Sequence, residues 1–169
     1  LAEVSSHDID TLRWYAGSEI VEVHAIADNY RCRDRADEYP EFYDTFVLTC
    51  RFANGMQGVI DGAVSVGYGY DARTEVLGSD GILFVGDLHA DRVVRHHRGG
   101  AMEGRTVPSW RTLFREAYRD EAAGFVAAIR DDVAPEVIGR DGLEAVRVVN
   151  AGNESIRTGA SVTLELEER

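Results

Sequence analysis

No lysine occurs anywhere in this chain. Every basic residue is an arginine, which removes a Schiff-base lysine, the lysine of a phosphate-binding loop and a lysine general base. Cysteine is scarce as well. Cys32 and Cys50 lack CxxC spacing and are too few for a disulfide framework, so a reducing cytoplasm is the expected setting. Positive charge is in short supply, with 18 basic residues against 30 acidic ones and a net charge of −12. A surface of that sign repels phosphate backbones and anionic lipid, so neither nucleic acid nor a membrane is an expected partner. No apolar run approaches the roughly 20 residues of a membrane span, and no secretory leader is expected. The chain opens on Leu1 without an initiator methionine and reads as a piece of something longer. What is there amounts to 169 residues, 44% hydrophobic and 28% charged. That suffices to bury one core of ordinary size without metals or disulfides.

Periodicity sets the expected elements. Ser5 and Ser6 are N-cap candidates for a short helix through Tyr15, with Ile9, Leu12, Tyr15 and Ala16 on one stripe and Gly17 at its end. Residues 19–27 alternate as a strand, with Val21, Val23, Ala25 and Ala27 on one side. Residues 28–44 form a long, charged, tyrosine-rich loop. Phe46, Leu48, Cys50 and Phe52 then alternate with smaller or polar residues, and Asn54-Gly55 separates them from the run 56–66. That pattern predicts a hairpin with a type I′ turn, which needs positive φ at both central residues. A second hairpin pairs residues 73–77 with 82–85 around Ser79-Asp80-Gly81, and residues 91–97 add an edge strand. Trp110, Leu113, Phe114, Ala117, Tyr118, Glu121, Phe125 and Ile129 mark an amphipathic helix. A last helix starts at Asp141, buries Leu143, Val146 and Val149, and stops near Gly159, before a strand over 161–166. The prediction is a single α+β domain over residues 1–169, a mostly antiparallel open sheet with helices packed on one face. Val47, Ala53, Val59 and Ala63 give the other face an apolar character that solvent alone does not explain, and an interface with a second copy is expected there.

Chemistry concentrates near the start. His7 and Asp10 share one face of the first helix, and Glu3 precedes His7 by four residues. Two readings stand: an imidazole acid/base oriented by a carboxylate, or a helix start that Ser6, His7 and Asp8 merely cap, with Asp8 and Asp10 complementing the dipole. His89, His96 and His97 do not have metal spacing, because adjacent strand residues point to opposite faces. No metal is expected. Gly67-Tyr68-Gly69-Tyr70 precedes no helix, so it is not a phosphate loop. It reads as a kinked strand whose two tyrosines either meet hydroxyls or pack. Tyr118 lies on an apolar stripe and reads as core, while Arg31, Arg33 and Arg35 read as a solvated loop.

Four stretches carry a resemblance. Residues 6–14, residues 68–76 with Gly78-Ser79-Asp80-Gly81, residues 114–118 leading to Glu121 and Phe125, and Gly139-Arg140-Asp141-Gly142 with residues 151–159 resemble the C-terminal domain of the glucose–fructose oxidoreductase/inositol dehydrogenase (Gfo/Idh/MocA) family. The second stretch resembles the inositol 2-dehydrogenases most. The resemblance implies an oxidoreductase acting on a secondary hydroxyl of a cyclic polyol or sugar. It implies NAD or NADP held by an N-terminal Rossmann domain, whose motifs and catalytic lysine are absent here, so this piece alone is expected to bind no cofactor and to be inactive. His7 would be the catalytic acid/base, Asp10 would orient it or hold a neighbouring hydroxyl, and Tyr68, Tyr70 and Tyr118 would line the polyol pocket. Glu3 stands where inositol enzymes of the family most often carry Asp. The open sheet face would be the homo-oligomer interface. A competing expectation is a non-catalytic ligand-binding or assembly module with the same fold.

Overall fold

Gly17 adopts φ +58° and stops the first helix where the sequence placed its end. The computed structural model describes residues 1, 5–35, 37–64 and 66–166, without the side chains of residues 91–94 and 102. In chain order the elements are α1 (Ser5–Ala16), β1 (Ile20–Asp28), a 3₁₀ turn (Arg33–Arg35), β2 (Thr45–Phe52), β3 (Gln57–Ala63), β4 (Thr74–Leu77), β5 (Ile82–Val85), β6 (His89–His96), β7 (Met102–Thr106), α2 (Trp110–Leu113), α3 (Arg115–Asp131), α4 (Gly139–Thr158) and β8 (Val162–Thr163). They are organised as an α+β fold with antiparallel strand pairing throughout. Two compact units divide the chain: residues 1–65 with 136–169, and residues 66–135.

In the first unit the strands run in the order β3-β2-β1-β8. Phe46, Leu48, Cys50 and Phe52 point to one face, as their alternation predicted, and meet Val23, Ala25 and Ile60 there. α1 and α4 close that face, bringing Ile9, Ala145, Val148, Val149 and Ala151 to the core. Gly62 is required by this packing, since a Cβ would stand 2.4 Å from the Phe46 ring. Burial pushes the Cys50 thiol up to about 11, which leaves it a packing residue.

Three local expectations are corrected. The Asn54-Gly55 turn is not type I′. Gly55 alone has positive φ, +89°, and the bonds from Gly55 N to Phe52 O and from Phe52 N to Met56 O describe a type I turn closed by a glycine bulge. Asn54 is held in it by its own side chain, which donates to Ala16 O at 3.0 Å and accepts from Met56 N at 3.1 Å. Second, α4 buries Val149 as expected but leaves Leu143 and Val146 exposed, and Ala145, Val148, Gly152 and Ser155 take their place in the core. Small residues on that stripe let the helix lie close on β1 and admit the Leu48 side chain from β2; a Cβ at Gly152 would stand 3.0 Å from Leu48 Cδ1. Asp141 is not the N-cap but sits one turn in, accepting the Ile138 N–H at 2.9 Å. Third, Ser5 does not cap α1. It lies inside the helix, wholly buried, and its Oγ makes no hydrogen bond among the described residues.

Strand β8 is too short to pair with the whole of β1, meeting it only at Glu22 and Val23. Beyond it the β1 edge is finished by a helix side chain: Ser155 Oγ accepts from Ala25 N at 2.9 Å and donates to Ala160 O at 2.6 Å. Ser155→Ala would leave a buried N–H without a partner. We expect a loss of about 1–3 kcal/mol, read by chemical denaturation, with Ser155→Thr retaining more stability than Ser155→Ala.

The second unit contains two ribbons, β4–β5 and β6–β7, together with α2 and α3. β7 answers the expected edge strand with a partner the sequence did not suggest. The predicted single helix from Trp110 breaks at Phe114 into α2 and α3. Its apolar stripe stays open: Phe125, Val126 and Ile129 are exposed, and Ala128 is the buried residue of α3. Two-stranded ribbons offer no face broad enough to cover such a helix.

Candidate functional site

His7 and Asp10 both lie on α1, and the structure does not bond them to each other. The His7 side chain is exposed and makes no hydrogen bond among the described residues; its backbone carbonyl accepts from Thr11 Oγ1 at 2.8 Å. Asp8, beside it, is raised from the ordinary carboxylate value by desolvation, against the pull of His7 and with that of Asp61. Glu3 lies outside the described residues.

Asp10 turns the other way. Its Oδ1 accepts from Arg13 Nη1 at 2.9 Å. Arg13 is 8% exposed; it stands four residues after Ile9 on the buried stripe of α1, a place arginine takes only when it is paired. Its Nε and Nη2 form a two-pronged contact with Glu19 at 2.7 and 3.0 Å, and its Nη1 donates to Asp141 O at 3.3 Å. The Glu19 hydrogen bonds and the surrounding carboxylates raise the guanidinium pKa, so it is firmly charged. One buried cation thus ties the last turn of α1 to the start of β1 and the first turn of α4. The i, i+3 spacing of Asp10 and Arg13 was a visible signal; Glu19 and Asp141 were not. A cavity of about 390 Å³ opens beside this cluster, walled by Asp10, Thr11, Trp14 and Val137, and His7 is not on its lining.

The three candidate tyrosines belong to the second unit. Tyr68 stands in solvent in the segment before β4. Tyr70 donates its backbone N–H to Val107 O at 2.7 Å, and its ring meets Phe114 edge-on at 6.0 Å. Tyr118 is 50% exposed, which corrects its reading as core, and its ring lies 5.7 Å from Trp110. Trp110, Phe114 and Tyr118 recur every four residues, so Tyr70 and Tyr118 meet the same aromatic strip around α2 and the start of α3.

Gly67 and Gly69 do not form a phosphate-binding loop. They lead through an extended segment into β4, with no helix N-terminus to face a pyrophosphate. His89 and His97 are each bound to one carboxylate, Asp87 at 2.9 Å and Glu103 at 3.0 Å. Among the described residues no cluster of three His, Cys, Asp or Glu could hold a metal, and no helix is long and apolar enough to cross a membrane.

The family model described as "Oxidoreductase family, C-terminal alpha/beta domain" matches residues 1–164. Among curated proteins, a myo-inositol 2-dehydrogenase of Thermotoga maritima is 32% identical over 96% of this chain and 48% of its own length. The scyllo-inositol 2-dehydrogenase (NAD(+)) of Bacillus subtilis is 28% identical over 98% of this chain and 47% of its own. Among solved structures, a myo-inositol dehydrogenase from Corynebacterium glutamicum superposes with a TM-score of 0.88 at 30% identity, covering 98% of this chain and 49% of that one. The chain therefore spans about half the length of the relatives it matches.

Proposed function

Because this chain belongs to the Gfo/Idh/MocA oxidoreductase family as its C-terminal alpha/beta domain, we propose that the full-length protein is an NAD(P)-dependent dehydrogenase. Its substrate is a cyclic polyol or sugar, nearest to an inositol, oxidised at a secondary hydroxyl, and this chain is the substrate-binding and oligomerisation half. The inositol relatives support the substrate class, and the NAD(+) in the name of one supports the cofactor. The observation that carries the proposal is the His7 imidazole. It is exposed, without a hydrogen-bond partner among the described residues, on a helix that a buried arginine locks in place.

Oxidation of a secondary alcohol releases a proton and a hydride. His7 takes the hydroxyl proton on a ring nitrogen. A nicotinamide bound by an N-terminal Rossmann domain would supply the hydride acceptor. Asp10 holds the helix through Arg13 while its second oxygen stays available to substrate, and Glu3, Tyr68, Tyr70 and Tyr118 are the further substrate contacts that the family resemblance implies. The open face of the first unit's sheet, where Ile26, Val47 and Val59 are exposed, packs against another copy. Two free cysteines suit a cytoplasmic protein.

The test is a screen of the full-length protein against inositols and aldoses with NAD and with NADP, followed by reduced-cofactor absorbance. We expect turnover with at least one inositol and none from this chain alone. A folded full-length protein that binds cofactor yet turns over nothing would favour the assembly module.

A further inference from the structure

The segment between β1 and β2, residues 29–44, is more ordered than a solvated loop needs to be. At its neck, Asn29 Nδ2 donates to Phe42 O and Asn29 Oδ1 accepts from Asp44 N, at 2.6 and 2.8 Å. The Asp44 carboxylate accepts from Tyr30 N, Arg31 N and Cys32 N at 2.7–3.1 Å. Further out, Arg35 N bonds Cys32 O, Tyr39 N bonds Arg35 O and Phe42 N bonds Tyr39 O. A segment held like this has already lost freedom that docking would otherwise have to remove.

Its outer surface has the residue types of an interface anchor. Tyr30, Tyr39 and Phe42 are exposed, and the Arg33 guanidinium lies 5.6 Å from the Tyr30 ring centre. Charge is divided along it. The first limb carries Arg31, Arg33 and Arg35 against Asp34 alone; the second carries Asp37, Glu38 and Glu41 and no base. Arg35 is satisfied within the loop by Glu38 at 3.0 Å; among the described residues Arg31 and Asp37 make no side-chain hydrogen bond or close ion pair, and Glu41 feels the charge of Arg157 without a hydrogen bond to it. A surface with one basic and one acidic limb is complementary to itself across a two-fold axis, each basic limb meeting the other copy's acidic one. Two bodies of net charge −12 repel each other, and reciprocal arginine contacts offset that locally. The segment also springs from the ends of β1 and β2, whose outward Ile26 and Val47 belong to the exposed sheet face, so loop and face are continuous.

We infer that residues 30–41 dock against a second copy of this chain, Arg31 and Arg33 of each facing Asp37 and Glu41 of the other. This rests on the sheet face being the homo-oligomer surface. Sedimentation velocity on this chain tests both, with circular dichroism to show that each variant is folded. Wild type should associate at micromolar concentration. R31E/R33E and D37R/E41R should each weaken association at least tenfold, and an equimolar mixture of the two should recover it to within a few-fold of wild type. V47D should abolish it. A monomeric wild type would overturn the sheet-face reading and this inference with it. Loop variants that associate like wild type, or a mixture that fails to recover, would overturn the loop inference while leaving the sheet face standing.

Discussion

Replacing His7 with alanine in the full-length protein is expected to lower kcat by about 10²–10⁴-fold, the usual contribution of a positioned general acid/base, with a much smaller change in KM. The side chain is exposed, so the substitution opens no cavity and leaves no buried polar group unpaired; the loss should fall on chemistry and not on folding. α1 is held by Ile9 in the core, two residues after His7, and near its other end by Arg13 against Asp10, Glu19 and Asp141. The backbone that aims position 7 is therefore the same in the variant. Initial rates of cofactor reduction against substrate concentration separate the two parameters. A variant whose turnover stays within a few-fold of wild type, with an unchanged melting temperature, would make His7 a helix-start residue and nothing more.

How far the sequence reached depended on how local each signal was. Gly17 and Gly159 ended their helices as expected, with φ of +58° and +70°, because a left-handed terminus needs nothing beyond its own turn. The Asn54-Gly55 hairpin was visible for the same reason, but its turn type was not. That type depends on Asn54 reaching Ala16 O, a partner 38 positions away. The stripe of α4 was misread because periodicity favours the bulky Leu143 and Val146, whereas close approach to Leu48 selects Gly152 and the small residues around it. For the site, residue type and family resemblance pointed to His7, Asp10 and the tyrosines. The i, i+3 pairing of Asp10 with Arg13 was legible, but the partners that lock the cation were not, since Glu19 lies outside the helix and Asp141 is brought in from the far end of the chain.

Asp44→Ala should be among the most destabilising single changes in the first unit, at roughly 3 kcal/mol or more, because it orphans three backbone donors at once. Asp44 is 1% exposed. Burial on its own would raise its carboxyl, but the N–H groups of Tyr30, Arg31 and Cys32 and the Thr45 hydroxyl outweigh that and hold it at about 2, below the ordinary 3.8. A carboxylate depressed in the folded state adds stability that is complete above its unfolded value and disappears as pH falls through the folded one. The contribution from Asp44 should therefore be full at neutral pH and fade between about 3.8 and about 2. Urea denaturation of wild type and variant at matched pH isolates it from the other carboxylates. The gap between the two should be widest near neutrality and shrink through that acidic window. Asp44→Asn keeps one acceptor oxygen and should fall between the two proteins. A gap that does not depend on pH would mean that the lost hydrogen bonds do not rely on the charge, and a gap below 1 kcal/mol would mean that the N–H groups of residues 30–32 find other partners when the carboxylate is removed.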